Sequence, residues 1–136
     1  MIELSKEKPY EDACKILGLR PVANYKSYKL TDETRNFIKL ETVAKALNEG
    51  WKPTTIDPEE VRYYVWGWNY TDNKKPSGLL HVASYLGLGG ASAAVGTSLE
   101  FKDRDTAKEF ARMCKPMIVK YLFGRDDHEN FKFDFQ

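Results

Sequence analysis

The stretch that decides the fold runs from residue 61 to residue 70, VRYYVWGWNY, where the hydrophobic pattern takes a period of two. β-Branched and aromatic residues dominate it and proline is absent, which is typical of a β-strand. Alternation along the strand places four large rings on one face: Tyr64, Trp66, Trp68 and Tyr70. The other face is apolar as well, so at least one of the two must be covered by helices.

Further strands and helices are predicted around this strand. After a polar turn, residues 79–86 (LLHVASYL) predict a second strand, and residues 97–101 (TSLEF) predict a third. Apolar side chains at spacings of three and four predict helices at 32–49 and 103–123, preceded by a short N-terminal helix. We therefore expect an α+β fold, with an antiparallel sheet of about three strands and the two main helices packed on one face.

Residues with known roles at helix ends set the expected helix boundaries. Thr31 or Asp32 is suited to cap the first main helix and Asp103 to cap the last one. Gly18 supplies a left-handed stop for the N-terminal helix. Pro116 lies inside the last helix, where it predicts a kink.

The chain has 136 residues, of which 42% are hydrophobic and 30% charged, values typical of one globular domain. We assign residues 1–124 to this domain. The segment 125–136 (RDDHENFKFDFQ) alternates acidic residues with phenylalanines. It predicts either an acidic, aromatic tail or an added edge strand.

The overall charge excludes a strong electrostatic field, because 21 basic and 20 acidic residues give a net charge of +1. No apolar run reaches the length of a signal peptide or a membrane span, so the expected location is the cytosol of a cell or a particle assembled there, with no membrane contact. Cys14 and Cys114 match no metal-ligand spacing and follow helical apolar patterns, so we interpret both as buried thiols.

Local motifs for catalysis are missing from the sequence. The segment from Gly87 to Gly96 resembles a dinucleotide-binding loop only in part, because Ser92 replaces the third glycine and a strand is expected to follow. His81 and His128 are single, without a neighbouring base partner or metal ligand. The sequence therefore predicts a protein that is not an enzyme, with no cofactor and no metal.

The aromatic strand has two interpretations. If its rings are exposed, they suit stacking with the bases of single-stranded nucleic acid. The residues predicted for that site are Arg62, Tyr64, Trp66, Trp68, Tyr70, Lys74 and Lys75, with Lys26 and Lys29 as further phosphate contacts. If the rings are buried, they form the core or a self-association surface, which the small net charge and the usual burial of large rings favour.

The C-terminal segment is the second predicted contact surface. It resembles the acidic C-terminal tails, ending in Phe, by which single-strand DNA-binding proteins of bacteria and phages recruit partners. Phe131, Phe133 and Phe135 are the residues predicted to bind a partner protein. Lys132 interrupts the acidic run and Gln136 follows the last Phe, which departs from that pattern. A packed C-terminal strand fits the same residues.

Three blocks together carry a wider resemblance: ALNEGWKP at 46–53, YYVW at 63–66 and SLEFKDRDTAKEF at 98–110. In this order they resemble a family of small uncharacterised proteins of gut Bacteroides-type bacteria and their phages, and the resemblance covers residues 10–121. It implies a phage or mobile-element setting. The shared residues are aromatic and structural, so the resemblance implies no activity and no catalytic residue.

Together these features predict a non-catalytic accessory binding protein of the phage type. Single-stranded nucleic acid is the first partner predicted, because it uses the aromatic strand, the basic turn and the acidic tail at once. The alternative is a protein-binding or virion structural module in which the same strand forms an interface or an oligomer contact.

Overall fold

The structure is a computed structural model that describes residues 2–21, 30–52, 59–68, 78–86 and 99–135. Its helices are α1 (Pro9–Leu17), α2 (Asp32–Leu47) and α3 (Arg104–Phe123). Its strands are β1 (Val61–Trp68), β2 (Gly78–Leu86) and β3 (Phe131–Phe133), the last preceded by a 3-10 turn (His128–Asn130). The predicted α+β class is confirmed. Among the described residues, no helix combines the length and the apolarity needed to cross a bilayer.

The starts of α2 and α3 and the end of α1 lie where the capping residues predicted them, whereas α2 ends at Leu47, two residues before the expected end. The backbone N–H of Thr34 donates to the Thr31 hydroxyl at 3.1 Å, and that of Thr106 donates to the Asp103 carboxylate at 2.8 Å. Each side chain thus satisfies one of the free amides at the start of its helix. Gly18 ends α1 with a φ of 68°, a conformation that glycine adopts at little cost.

Helix α3 is kinked, as its proline predicts. Cys114 has non-helical angles, with φ −112° and ψ 19°, two residues before Pro116. Proline lacks the amide hydrogen that would bond to residue 112, and its ring crowds that carbonyl. Cys14 and Cys114 are both buried and free, and burial raises the pKa of the Cys114 thiol to about 12. The Cys114 thiol is therefore protonated at neutral pH and is not a nucleophile.

The three strands form one mixed sheet in the order β1-β2-β3. β1 and β2 are antiparallel, with Trp66 opposite His81, whereas β3 runs parallel to β2, with Phe133 opposite Leu80. The expectation of a purely antiparallel sheet was therefore wrong. The third strand lies within 125–136, the segment that the sequence predicted to be either a tail or an edge strand.

The described part of the segment predicted as the third strand, residues 99–101, makes a short contact with the sheet. Residues 97 and 98 lie outside the described part of the chain, and Phe101 forms an isolated antiparallel bridge to Tyr63 with hydrogen bonds of 2.8 and 3.0 Å. Asp103 already caps α3 two residues later. Because α3 begins directly afterwards, the pairing of this segment with β1 does not continue beyond Phe101 towards the C-terminus.

The core lies between the sheet and the helices. Val65, Leu80 and Val82 share the sheet face against which α3 packs, and all three are buried. α2 packs on α3 and on α1. The ring of Phe110 on α3 contacts Phe101, with 4.8 Å between the ring centroids. The sheet face that carries Val65, Leu80 and Val82 is called here the covered face.

A single aromatic side chain attaches β3 to the core. Phe131 is 1% exposed, and its ring stacks on Phe123 of α3 at 5.2 Å with an interplanar angle of 17°. Arg125 lies over the same ring and donates to the Asp127 carboxylate, which also accepts from the Asn130 amide. The hydrogen bonds from Arg125 and then from Asn130 lower the pKa of Asp127, because they stabilise its charged form.

Gly78 lies opposite Phe131 in the ladder, so the packing of the Phe131 ring predicts the effect of adding a methyl group at Gly78. A Cβ at Gly78 would lie 2.2 Å from a ring carbon of Phe131. We expect Gly78→Ala to lower the free energy of unfolding by about 1–3 kcal/mol, because the ring must shift out of a packed site. Urea unfolding measures this, with Ser84→Ala on the exposed part of the same strand as control. Equal stability of the two variants would contradict the packing described.

Candidate functional site

The candidate site is the sheet face opposite α3, called here the outer face. Because side chains alternate along strands, the register places Trp66, Trp68 and His81 on this face. Lys132 lies opposite Leu79 in the ladder, so β3 adds Lys132 and, two residues later, Asp134. Side chains from all three strands therefore meet on the outer face.

Exposure increases along β1 on the outer face. Arg62 is 3% exposed, Tyr64 and Trp66 are half-buried, and Trp68 is 54% exposed. Tyr64 packs against the hydrophobic core. The two interpretations of the aromatic strand thus apply to different parts of it: its beginning belongs to the interior, and its end is open to a ligand.

Arg62 corrects one of the predicted phosphate contacts. Its guanidinium lies 3.3 Å from the Glu60 carboxylate and 3.5 Å from that of Glu100, which is fully buried. Burying a carboxylate is costly unless a positive charge lies beside it. Arg62 therefore neutralises a buried acid instead of facing a ligand.

The exposed end of the outer face carries a row of three rings. The centroids of Trp68 and Trp66 are 5.1 Å apart, and those of Trp66 and His81 are 5.4 Å apart, with interplanar angles of 60° and 31°. These separations lie within the range of favourable aromatic contacts. Trp66, the central ring, is held from both sides, and Trp68 is the ring with most of its surface available.

His81 has a partner that the sequence did not reveal. Its Nδ1 lies 3.6 Å from the Asp134 carboxylate, and its Nε2 is buried with no hydrogen-bond partner among the described residues. Asp134 is 53 residues away in sequence and comes beside His81 only because β3 pairs with β2. His81 thus belongs to the ring row through its contact with Trp66, and its Nδ1 faces Asp134.

The cations expected beside the rings are only partly described. Lys132 is exposed and lies on the outer face. Tyr70, Lys74 and Lys75 lie outside the described residues, in the connection from β1 to β2, as do Lys26 and Lys29. Among the described side chains, Lys132 is therefore the lysine that β3 places near the ring row.

The three phenylalanines of the C-terminal segment have different positions. Phe131 is buried in the core, which corrects its prediction as a partner contact. Phe133 is 37% exposed, and its ring stacks on that of Phe135 at 4.8 Å. Phe133 shares the covered face with Leu80, so it lies on the other side of β3 from Lys132.

The described ranges contain surface pockets but no cluster of metal-binding side chains. No group of three or more His, Cys, Asp or Glu side chains is close enough there to hold a metal ion. Two surface pockets, of about 410 and 340 Å³, are lined in part by Leu4 and Met113 and by Trp51 and Thr106 respectively. His81 lines neither of them. The most exposed large hydrophobic side chain among the described residues, Trp68, lies on the outer face instead.

The buried charge pair leads to a test by double substitution. We expect Arg62→Met to lower the free energy of unfolding by about 3–5 kcal/mol, because it leaves the Glu100 carboxylate buried without its cation. Adding Glu100→Leu should recover most of that loss. Lys120→Met, which breaks the exposed pair of Lys120 with Asp126, is the control and should cost about 0–1 kcal/mol. A double variant no more stable than Arg62→Met would contradict this account.

The exposure of the rings predicts how the three tryptophans respond to a quencher. Trp68 is exposed, whereas Trp51 and Trp66 are half-buried. We expect Trp68→Phe to reduce the acrylamide quenching of tryptophan emission more than Trp66→Phe or Trp51→Phe does. A larger reduction from Trp66→Phe would mean that Trp66, and not Trp68, is the ring more accessible to the quencher.

Comparison of the chain with protein-family models, with curated proteins and with solved structures found no significant match in any of the three.

Proposed function

We propose that this protein is a non-catalytic accessory protein of the phage type that binds single-stranded nucleic acid through its outer face. The observation that carries the proposal is the exposure of Trp68 at the end of a row of three rings. The proposal places the protein in the host cytoplasm or the virion, where such a ligand is available.

The ring row suits unpaired bases because every base has a π-face that stacks on an aromatic side chain. Such stacking contributes about 1–3 kcal/mol per base and tolerates any sequence. Trp66 is already packed between Trp68 and His81, so its orientation is set before a ligand arrives. A platform of this kind loses little conformational entropy on binding.

The charge beside the rings supports a weak preference for an anion. Lys132 is exposed at the level of Trp68, since both lie opposite Leu79 in the ladder. Asp134 carries a negative charge on the same face but lies beside His81. Lys74 and Lys75 follow Trp68 closely in sequence and are further candidates for phosphate contacts.

The competing function is an interface with a protein or a second copy of this chain. Trp68 and Phe133 are both large, exposed and apolar, and tryptophan is frequent at the centres of interfaces. β3 is also the last strand in the order of the described sheet, so its outer edge is suited to pair with another strand. The aromatic stacking and Lys132 favour nucleic acid over this alternative.

A titration with labelled oligothymidine tests the proposal. We expect micromolar binding that weakens with salt and quenches tryptophan emission. Trp68→Ala should weaken binding by about 5- to 150-fold, the equivalent of one stacked base, while the fold is retained. Trp51→Ala is the matched control, because Trp51 is half-buried away from the ring row, and it should leave the affinity unchanged.

Two results would overturn the proposal. One is the absence of binding at micromolar protein and low salt. The other is a stable oligomer, measured by mass in solution, that Trp68→Ala converts to monomers without any effect of nucleic acid. The second result would establish the interface as the function of the outer face.

A further inference from the structure

A row of three cations lies along one side of α3, away from the outer face. Lys108, Arg112 and Lys115 follow one another at spacings of four and three residues, which places them on the same side of a helix. Lys108 and Lys115 are seven residues apart, which corresponds to about 10 Å along the helix at 1.5 Å per residue. It forms a local positive patch on a chain whose net charge is only +1.

Each cation of this row lies over a ring of the C-terminal segment. Lys115 is 5.3 Å from the centroid of Phe133, and Arg112 and Lys108 are 5.3 and 6.0 Å from that of Phe135. The rings hold the cations through their negative faces without neutralising their charge. A phosphate reaching this surface would therefore meet positive charges already held in place.

Acidic residues reduce the charge of the row only in part. Glu109 lies 3.5 Å from Arg112, and this pair is partly exposed, so it is screened and weak. Asp105 is exposed one turn before Lys108. Neither acid lies within ion-pair distance of Lys108 or Lys115 among the contacts of the described residues.

β3 connects this row to the ring row. Along three consecutive residues, Phe131 points into the core, Lys132 to the outer face and Phe133 towards α3. Trp68 and Lys132 are separated by two strand spacings of about 4.8 Å each, so about 10 Å separates the exposed ring from the edge. A strand of nucleic acid that crosses the sheet therefore reaches the cation row by turning around β3.

We infer that the cation row of α3 is the second half of the nucleic-acid site and holds phosphates of the same strand whose bases stack on Trp68. This inference rests on the proposed function of the outer face. It assigns base stacking to the outer face and charge neutralisation to α3, with Lys132 between them. It also predicts that a strand long enough to pass the edge binds more tightly than one that covers only the rings.

The test combines neutralisation of the row with strand length. The variant Lys108→Gln/Arg112→Gln/Lys115→Gln is compared with wild type on oligothymidines of about three and about nine nucleotides. Loss of three phosphate contacts should lower the slope of log K against log salt by about 2. The affinity ratio of wild type to variant should then fall about 20-fold between roughly 50 and 200 mM salt. The gain in affinity from the shorter to the longer strand should disappear, while tryptophan quenching persists.

Two control variants test whether the effect depends on where the charge is removed and on the rings that contact the cations. Lys15→Gln/Lys45→Gln/Lys102→Gln removes the same charge from exposed lysines elsewhere and should keep the slope. Phe133→Leu/Phe135→Leu removes the rings but keeps the cations, and it should also keep most of the slope. If the triple neutralisation at the row unfolds the protein, the three single variants replace it, each expected to lower the slope by about 0.7.

The outcomes distinguish this inference from the proposed function. If wild type binds and the row variant has the slope of the lysine control, the inference fails and the outer face remains the binding site. If wild type binds no oligothymidine, the proposed function fails and this inference fails with it. Binding of polyglutamate as tight as that of oligothymidine, lost in the row variant, would also overturn the inference in favour of an acidic protein partner.

Discussion

The burial of the Phe131 ring determines the position of everything that follows it in the chain. β3 has only three residues, so its backbone hydrogen bonds are too few to hold it in place alone. Burying a phenylalanine contributes about 1.5–3 kcal/mol, and here the ring lies between Gly78 and Phe123. Because Phe131 points inwards, the alternation of side chains places Lys132 on the outer face. The orientation of β3 thereby fixes where the ring row and the cation row lie on either side of it.

A second constraint decides how much of the outer face remains open. The buried Glu100 carboxylate requires a cation, and Arg62 supplies it from the beginning of β1. This pairing joins the first part of the outer face to the interior. Among the described rings of β1, that of Trp68 at the end of the strand is therefore the most exposed; Trp68 lies opposite Leu79 of β2, which in turn lies opposite Lys132 of β3.

The features that the sequence predicted correctly are local ones. The caps Thr31 and Asp103, the stop at Gly18 and the kink near Pro116 each depend on a few neighbouring residues, so a single sequence is sufficient to find them. β1 and β2 follow from period-two patterns and differ from the expected bounds by one or two residues.

The features that the sequence did not predict depend on distant pairings. The segments at 97–101 and 131–135 carry the same alternation of apolar and polar residues, and nothing local indicates which one joins β2. The partners of Arg62 and His81 were missed for the same reason, since Glu100 and Asp134 are brought to them by the fold. The alternation at Phe131, Lys132 and Phe133 was visible, but its meaning depended on the parallel pairing with β2.

The separation of rings from cations restricts the kind of polymer that fits the proposed site. The ring row and the cation row lie on opposite sides of an edge strand, so one ligand contacts both only by turning sharply around β3. Duplex DNA has a persistence length of about 150 base pairs and resists such a turn over a few nucleotides. Its bases are also paired and stacked, which keeps their faces from Trp68. A flexible single strand meets both requirements, and for that reason the geometry of the edge, more than the amount of positive charge, favours single-stranded over double-stranded nucleic acid as the ligand.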